Sequence, residues 1–86
     1  MKSYTVSLIP SEEKFEKTCK MIEDRYPNAE KSKLLHDVDD TKIQIYMLPE
    51  GQIKVYNDFE VYALYVDSDV SLEESIDYLF ESKNMQ

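Results

Sequence analysis

KVYNDFEVYALYVDSD, residues 54–69, carries apolar or aromatic residues on what would be both sides of a β-strand. A strand with one side in water normally alternates apolar and polar residues. Asn57 and Asp58 suit a two-residue turn because asparagine tolerates positive φ, and this turn predicts a hairpin in which Tyr56 pairs with Phe59. Since side chains alternate between faces, that one pairing predicts the face on which each neighbouring residue lies.

The predicted hairpin separates a core side from an aromatic side. The core side, which we expect the helices to cover, holds Ile53, Val55, Tyr62, Leu64 and Val66. The other side, the predicted tyrosine face, holds Lys54, Tyr56, Phe59, Val61, Ala63 and Tyr65, joined by Tyr46 and Leu48 from the preceding strand. Each large aromatic side chain can bury about 150–250 Å², so this face exceeds the apolar patch that ordinary monomers expose. Either a helix covers it, or a partner protein or a second copy binds it.

Strand and helix patterns also precede the hairpin. Alternation of Tyr4, Val6 and Leu8 with polar residues predicts a first strand that ends before Pro10. A helix follows, for which Ser11 is a suitable N-cap, and it ends before Pro27. Its apolar stripe is predicted to contain Phe15, Cys19, Ile22 and Tyr26.

The middle of the chain predicts further strands. Ile43, Ile45 and Met47 alternate with Gln44, Tyr46 and Leu48, which predicts a strand. A turn at residues 49–51 leads into the strand with Ile53 and Val55. Residues 34–38 are ambiguous between a strand and a short helix through residues 30–35. We favour the strand, with a tight turn at residues 39–40 that places Val38 opposite Thr41 and puts Leu34, His36, Ile43 and Ile45 on one face.

The C-terminal part predicts a second helix. Ser71 and Glu74 have the spacing of a capping box, and the apolar stripe that follows consists of Leu72, Ile76, Leu79 and Phe80. We expect this helix to end near Ser82. The fold prediction is therefore a single α+β domain over residues 1–86 in the order β-α-(β)-β-β-β-α, with a mainly antiparallel sheet and both helices mainly on one face.

The charge of the chain points away from nucleic acid and towards basic proteins. The net charge is −8, and residues 43–86 contribute nine acidic residues against only two lysines. Phosphate backbones and anionic membranes are bound by clusters of lysine and arginine, so direct binding to either is not expected. A basic protein surface is the natural electrostatic partner.

The sequence offers little for catalysis. Asp37, Asp39 and Thr41 form a D-x-D-x-T motif that resembles the nucleophile motif of haloacid-dehalogenase-type phosphatases, but only five residues match and the chain is too short for that family's parallel sheet. The motif is better interpreted as a solvated acidic turn. His36 is the only histidine, and Cys19 lies on the apolar stripe of the first helix. We therefore expect no enzyme activity, metal site or cofactor.

The sequence therefore predicts a non-enzymatic, acidic protein-interaction domain. One cysteine and the polar start MKSYTVSLIP favour a cytoplasmic protein. The predicted role is an inhibitor or regulator of the antitoxin, immunity or anti-defence type that docks on a basic partner protein. A partner that handles nucleic acid is one option, and a nucleic-acid mimic is one form of such an inhibitor. The alternative is a homo-oligomeric module that uses the tyrosine face on itself. The predicted partner-binding residues are Tyr46, Tyr56, Phe59, Val61, Tyr65, Asp67, Asp69, Glu73 and Glu74.

Overall fold

The structure is a computed structural model that describes residues 2–72. Within that range it contains six strands and one helix, arranged as a small α+β fold. In chain order they are β1 (Lys2–Ser7), α1 (Glu12–Arg25), β2 (Glu30–Lys31), β3 (Leu35–His36), β4 (Lys42–Leu48), β5 (Gly51–Asp58) and β6 (Ala63–Ser68). The predicted second helix lies outside the described residues, apart from its first positions.

All described strands form one antiparallel sheet. The strand order is β1-β6-β5-β4-β2, and β3 also pairs with β4 beside β2. The predicted strand at residues 34–38 is thus present but short. Helix α1, the one helix within residues 2–72, is too short and too polar to span a membrane.

Helix α1 covers one face of the sheet. Ser11 caps its N-terminus, with its side-chain oxygen accepting a hydrogen bond from the backbone N–H of Lys14 at 3.2 Å. Phe15, Cys19 and Ile22 are buried against the sheet, which confirms most of the predicted apolar stripe. The core they enter also contains Val6, Tyr46, Ile53, Val55, Leu64, Val66 and Leu72. The opposite face of the sheet is called the far face below.

The hairpin between β5 and β6 has a different turn from the predicted one. Tyr56 pairs with Tyr65 instead of Phe59, and the loop runs through residues 59–62. The reason lies in two side chains. Asn57 is buried within β5, where its Oδ1 accepts from the N–H of Ser11 at 2.9 Å, while Asp58 Oδ1 accepts from the N–H groups of Glu60 and Val61 and closes the loop.

This correction leaves most of the predicted faces intact. The partner of Tyr56 moves by six residues, an even number, so residues that remain in the strands keep their side of the sheet. Leu64 and Val66 are buried as expected, and Tyr65 lies on the far face beside Tyr56. Tyr62 is wrongly predicted to face the core, because it belongs to the loop.

The side chains of β4 lie on the opposite faces of the sheet from those predicted. Leu48 pairs with Gly51, so the turn contains only Pro49 and Glu50, and this register places Tyr46 opposite Ile53 on the core side. The prediction that Tyr46 lies on the tyrosine face is therefore wrong. The β4 residues on the far face are instead Ile43, Ile45 and Met47, which alternate with Tyr46 and so were expected on the opposite face from the predicted tyrosine face.

The loop before β4 is also one residue longer than predicted. Leu35 pairs with Ile43 and His36 with Lys42, so Val38 does not face Thr41. Asp40 adopts a positive φ of 72°, which accommodates a three-residue loop, and Asp39 Oδ1 accepts from the N–H of Thr41 at 3.1 Å. The one-residue shift moves His36 away from the face that Ile43 occupies.

Tyr46 is tied to the helix by a polar contact at the border of the core. Only 1% of the residue is exposed, and its hydroxyl donates to Glu23 Oε2 at 2.7 Å. The Lys31 ammonium lies 2.8 Å from the same carboxylate oxygen. Hydrogen bonds from Lys31 and Tyr46 hold the pKa of Glu23 below its ordinary value of 4.5. A buried aromatic ring thus meets a partly exposed ion pair.

We predict that Tyr46→Phe lowers the free energy of unfolding by about 1–2 kcal/mol, because it removes a hydrogen bond to a charged group. The lowered pKa of Glu23 stabilises the fold above pH 4.5, and this contribution is lost as the pH falls through the pKa of the folded state. The difference between wild type and variant should therefore narrow in acid. Urea denaturation at pH 7 and at acid pH measures it.

Tyr62→Phe is the matched control, since Tyr62 is exposed and no hydrogen bond of its hydroxyl is found within residues 2–72. Its effect should stay within about 0.5 kcal/mol. Equal losses in the two variants would contradict the role assigned to the Tyr46 hydroxyl.

Candidate functional site

An apolar and aromatic row crosses the far face of the sheet. The register places its members directly beside one another on neighbouring strands, one residue from each: Leu35, Ile43, Tyr56, Tyr65 and Thr5. The central residues of this row are half-buried, and Leu35 and Thr5 at its two ends are exposed. None of the five belongs to the core under α1. This set is called the far-face row.

The centre of the far-face row is a stacked aromatic pair. The rings of Tyr56 and Tyr65 lie 4.6 Å apart between centroids with only 8° between their planes. The Tyr65 hydroxyl donates to Asp58 Oδ2 at 3.3 Å. Burial, together with the charge of Asp58, raises the pKa of Tyr65 to about 12, so the hydroxyl is neutral at physiological pH. The pair presents a flat surface with a fixed polar tip.

Charged residues lie directly beside the far-face row. The next row along the strands contains Ile45, Lys54, Asp67 and Ser3. The register places Asp67, a predicted site residue, on the far face, and a hydrogen bond from the Ser3 hydroxyl holds its carboxylate in place. Lys54 pairs with Asp67 in the register across β5 and β6. A partner that covers the tyrosines would therefore also meet one lysine and one aspartate.

The remaining predicted site residues are dispersed. Phe59 and Val61, expected on the tyrosine face, are exposed in the loop at the end of the sheet. Asp69 lies at the opposite end, where its carboxylate accepts from the N–H of Gln52 at 3.0 Å. It also fills the space beside Gly51, where an added Cβ would lie 2.5 Å from Asp69. Glu73 and Glu74 lie outside the described residues.

Two members of the far-face row, Ile43 and Leu35, were not predicted from the sequence to lie on this face. Ile43 alternates with Tyr46 and so was expected on the face opposite the predicted tyrosine face, and Leu35 was not assigned to the site at all. The reason for the difference is Gln44, a polar residue between two isoleucines. It is only 4% exposed, and its side chain donates to the carbonyl oxygen of Ser32 at 2.7 Å. A polar residue that finds a backbone partner can take the core position while its apolar neighbours face outwards.

A cleft of about 380 Å³ lies on the other side of the sheet, between α1 and the strands. Phe15, Cys19 and Gln44 line it, with Leu34, Lys20 and Lys31 and the carboxylates of Glu12, Glu16 and Glu23. Two of these carboxylates are paired with lysines, Glu12 with Lys42 at 2.6 Å and Glu23 with Lys31 at 2.8 Å. Burial raises the pKa of the Cys19 thiol to about 11, so the sulfur is protonated at neutral pH and a poor nucleophile.

The D-x-D-x-T segment forms the hairpin loop between β3 and β4. Asp37 Oδ1 accepts from the N–H of Val38 at 2.7 Å, and Asp39 Oδ1 accepts from that of Thr41. Hydrogen bonds from the side chain of Thr41 and, to a smaller extent, from its backbone lower the pKa of Asp39. Within residues 2–72, no group of three or more His, Cys, Asp or Glu side chains is placed to hold a metal ion. These aspartates shape the loop.

Comparison of the chain with protein-family models, with curated proteins and with solved structures finds no match.

Tyr62 gives a prediction for the loop between β5 and β6. Its φ of 65° is a conformation that favours glycine, so the fold is strained there. We expect Tyr62→Gly to raise the free energy of unfolding by about 0.5–1 kcal/mol, and Tyr62→Val to lower it by about 1 kcal/mol because a β-branched side chain fits this conformation poorly. Thermal and urea denaturation measure both.

Val61→Gly is the control for this comparison, since Val61 precedes Tyr62 and has no positive φ. Glycine there should destabilise the protein, because it only adds flexibility to the unfolded chain. A destabilised Tyr62→Gly would show that the ring contributes more to the fold than its backbone strain costs.

Proposed function

We propose that the chain is a non-enzymatic, acidic protein-interaction domain of the cytoplasm that inhibits or regulates a basic partner protein. The observation that carries the proposal is the far-face row. Its five members come from five strands, and the one helix among the described residues lies on the other side of the sheet. Tyrosine is favoured in protein interfaces because its ring supplies contact area and its hydroxyl a hydrogen bond.

The charge of the chain supports a basic partner. The net charge of −8 attracts positively charged surfaces over long distances and raises association rates. Asp58 and Asp67 lie next to the stacked tyrosines, so a lysine or arginine of the partner could pair with them while its stem packs on a ring. Proteins that handle nucleic acid carry such basic surfaces, and an inhibitor of the antitoxin, immunity or anti-defence type would occupy one.

Self-association through the same row is the second candidate. A flat stacked pair such as Tyr56 and Tyr65 can pack against its own copy around a two-fold axis. The net charge of the chain opposes this arrangement, because each copy brings the same excess of acids to the interface. The basic partner is therefore the favoured candidate.

We predict that Tyr56→Ala weakens binding of the partner by about tenfold or more, since a central aromatic anchor commonly contributes 2 kcal/mol or more. Affinity capture from the native host's lysate, followed by mass spectrometry, identifies basic proteins that wild type enriches. The purified candidate is then titrated with wild type and variant, counting only folded molecules.

Tyr26→Ala is the control variant, because Tyr26 packs beside the core under α1. It should cost stability and leave the affinity per folded molecule unchanged. Unchanged affinity in Tyr56→Ala would refute the far face as the interface. A dimer that persists on dilution in sedimentation velocity and dissociates in Tyr56→Ala would favour self-association.

A further inference from the structure

Three loops meet at one end of the sheet, where β1 and β5 end and β4 and β6 begin. They comprise residues 8–11 before α1, residues 37–41 before β4, and residues 59–62 before β6 together with Asp58, the last residue of β5. The register places them together, because Ser7 pairs with Leu64, Asn57 with both Leu64 and Lys42, and Lys42 with His36. This set is called the loop end.

The loop end carries most of the exposed large apolar side chains. Nine such residues are exposed within residues 2–72, and six belong to the three loops: Leu8, Ile9, Val38, Phe59, Val61 and Tyr62. Val38 is 99% exposed and Leu8 81%. Met47 is the one of the nine that lies towards the opposite end of the sheet. Scattered apolar residues are normal on a surface, but such a concentration on neighbouring loops marks an interaction site.

Hydrogen bonds hold the three loops to one another. The N–H of Ser11 in the first loop donates to Asn57 at the end of β5. The N–H of Phe59 in the third loop donates to Thr41 Oγ1 in the second at 2.9 Å. Asp58 then closes the third loop through two backbone N–H groups. The apolar side chains are thus presented by a fixed frame, which reduces the entropy lost on binding.

Tyr62 adds an independent observation. It holds a positive φ that suits glycine or asparagine, and 55% of it is exposed, so the core gains nothing from a large side chain there. Its ring meets Phe59 edge to face at 6.4 Å. An exposed aromatic pair at a loop tip, in which Tyr62 has a strained backbone, is explained if the two rings contact a partner.

The acidic residues of the three loops indicate which kind of partner binds there. The three loops contain five acidic residues and no lysine, arginine or histidine: Asp37, Asp39, Asp40, Asp58 and Glu60. These carboxylates would repel the headgroups of an anionic membrane and the same loops of a second copy. They would attract lysine and arginine around an apolar centre, which is the usual arrangement of a polar rim around an interface.

We infer that the loop end binds a basic protein surface, with its six apolar side chains at the centre of the contact and its five carboxylates at the rim. The inference rests on the proposed function and names a second contact surface for it. The far-face row reaches this end of the sheet through Leu35 and Tyr65, so one large partner can cover both surfaces.

The test is a titration of the ¹⁵N-labelled full chain with two octapeptides, followed by amide chemical shifts. One alternates arginine with leucine, and the other alternates glutamate with leucine. They offer the same apolar side chains with opposite charge. We expect saturable shifts at Leu8, Val38 and Val61 with the arginine peptide only, and shifts that weaken as salt is added.

Val38→Ser with Val61→Ser should weaken binding of the arginine peptide by at least about fivefold, since both side chains lose apolar contact area without a change of charge. Met47→Ser is the matched control, because Met47 is also exposed but lies away from the loops. Its affinity should stay within about twofold of wild type.

Several results would overturn the inference. Equal binding of both peptides would remove the argument from charge, and the absence of saturable shifts at the loop end would remove the site. Binding to phosphatidylglycerol vesicles that Val38→Ser with Val61→Ser abolishes would assign the loops to a membrane. Shifts confined to Ile43, Tyr56 and Tyr65 would refute the loop end while leaving the proposed function in place. If the capture experiment finds no basic partner but the loop-end shifts appear, the proposed function fails separately.

Discussion

The pairing of β5 with both of its neighbours is the constraint on which the described structure depends. Ile53 and Val55 are completely buried, and each lies between a residue of β4 and a residue of β6. A change of one residue in either register would move these side chains to the opposite face and bring Lys54 or Tyr56 under α1. Burial of an aliphatic side chain contributes about 1.5–3 kcal/mol, so such a change would cost several such contributions at once.

The same register creates the surfaces that remain for function. Because the aliphatic residues of β5 and β6 face α1, Tyr56 and Tyr65 meet on the other side and stack. Because β5 continues to Asp58, the residues after it form a loop and not a strand, and Phe59 and Val61 emerge at the end of the sheet. The far-face row and the loop end are therefore two consequences of one pairing.

The sequence predicts the helix and the main strands because those features depend on local patterns. Ser11, Phe15 and Ile22 identify α1 by cap and spacing alone. Turn length is different, since it depends on partners distant in the chain. Asparagine is common in turns, but the side chain of Asn57 accepts a hydrogen bond from the distant N–H of Ser11 and lies within a strand. Glutamine is common on surfaces, but the side chain of Gln44 donates to the carbonyl oxygen of Ser32 and is buried. The members of the predicted tyrosine face were assigned correctly only in part for this reason: Tyr56 and Tyr65 lie on the far face, while Tyr46, Phe59 and Val61 do not.

Nuclear Overhauser contacts across β5 and β6 measure this register most directly. The account predicts cross-strand contacts between the opposed pairs Tyr56 and Tyr65, Val55 and Val66, and Asn57 and Leu64 in ¹⁵N- and ¹³C-edited spectra of the full chain. A contact of Tyr56 with Phe59 as its opposed residue, with Val55 opposite Glu60, would show a two-residue turn at residues 57–58. That result would contradict both the loop end and the arrangement of the far-face row.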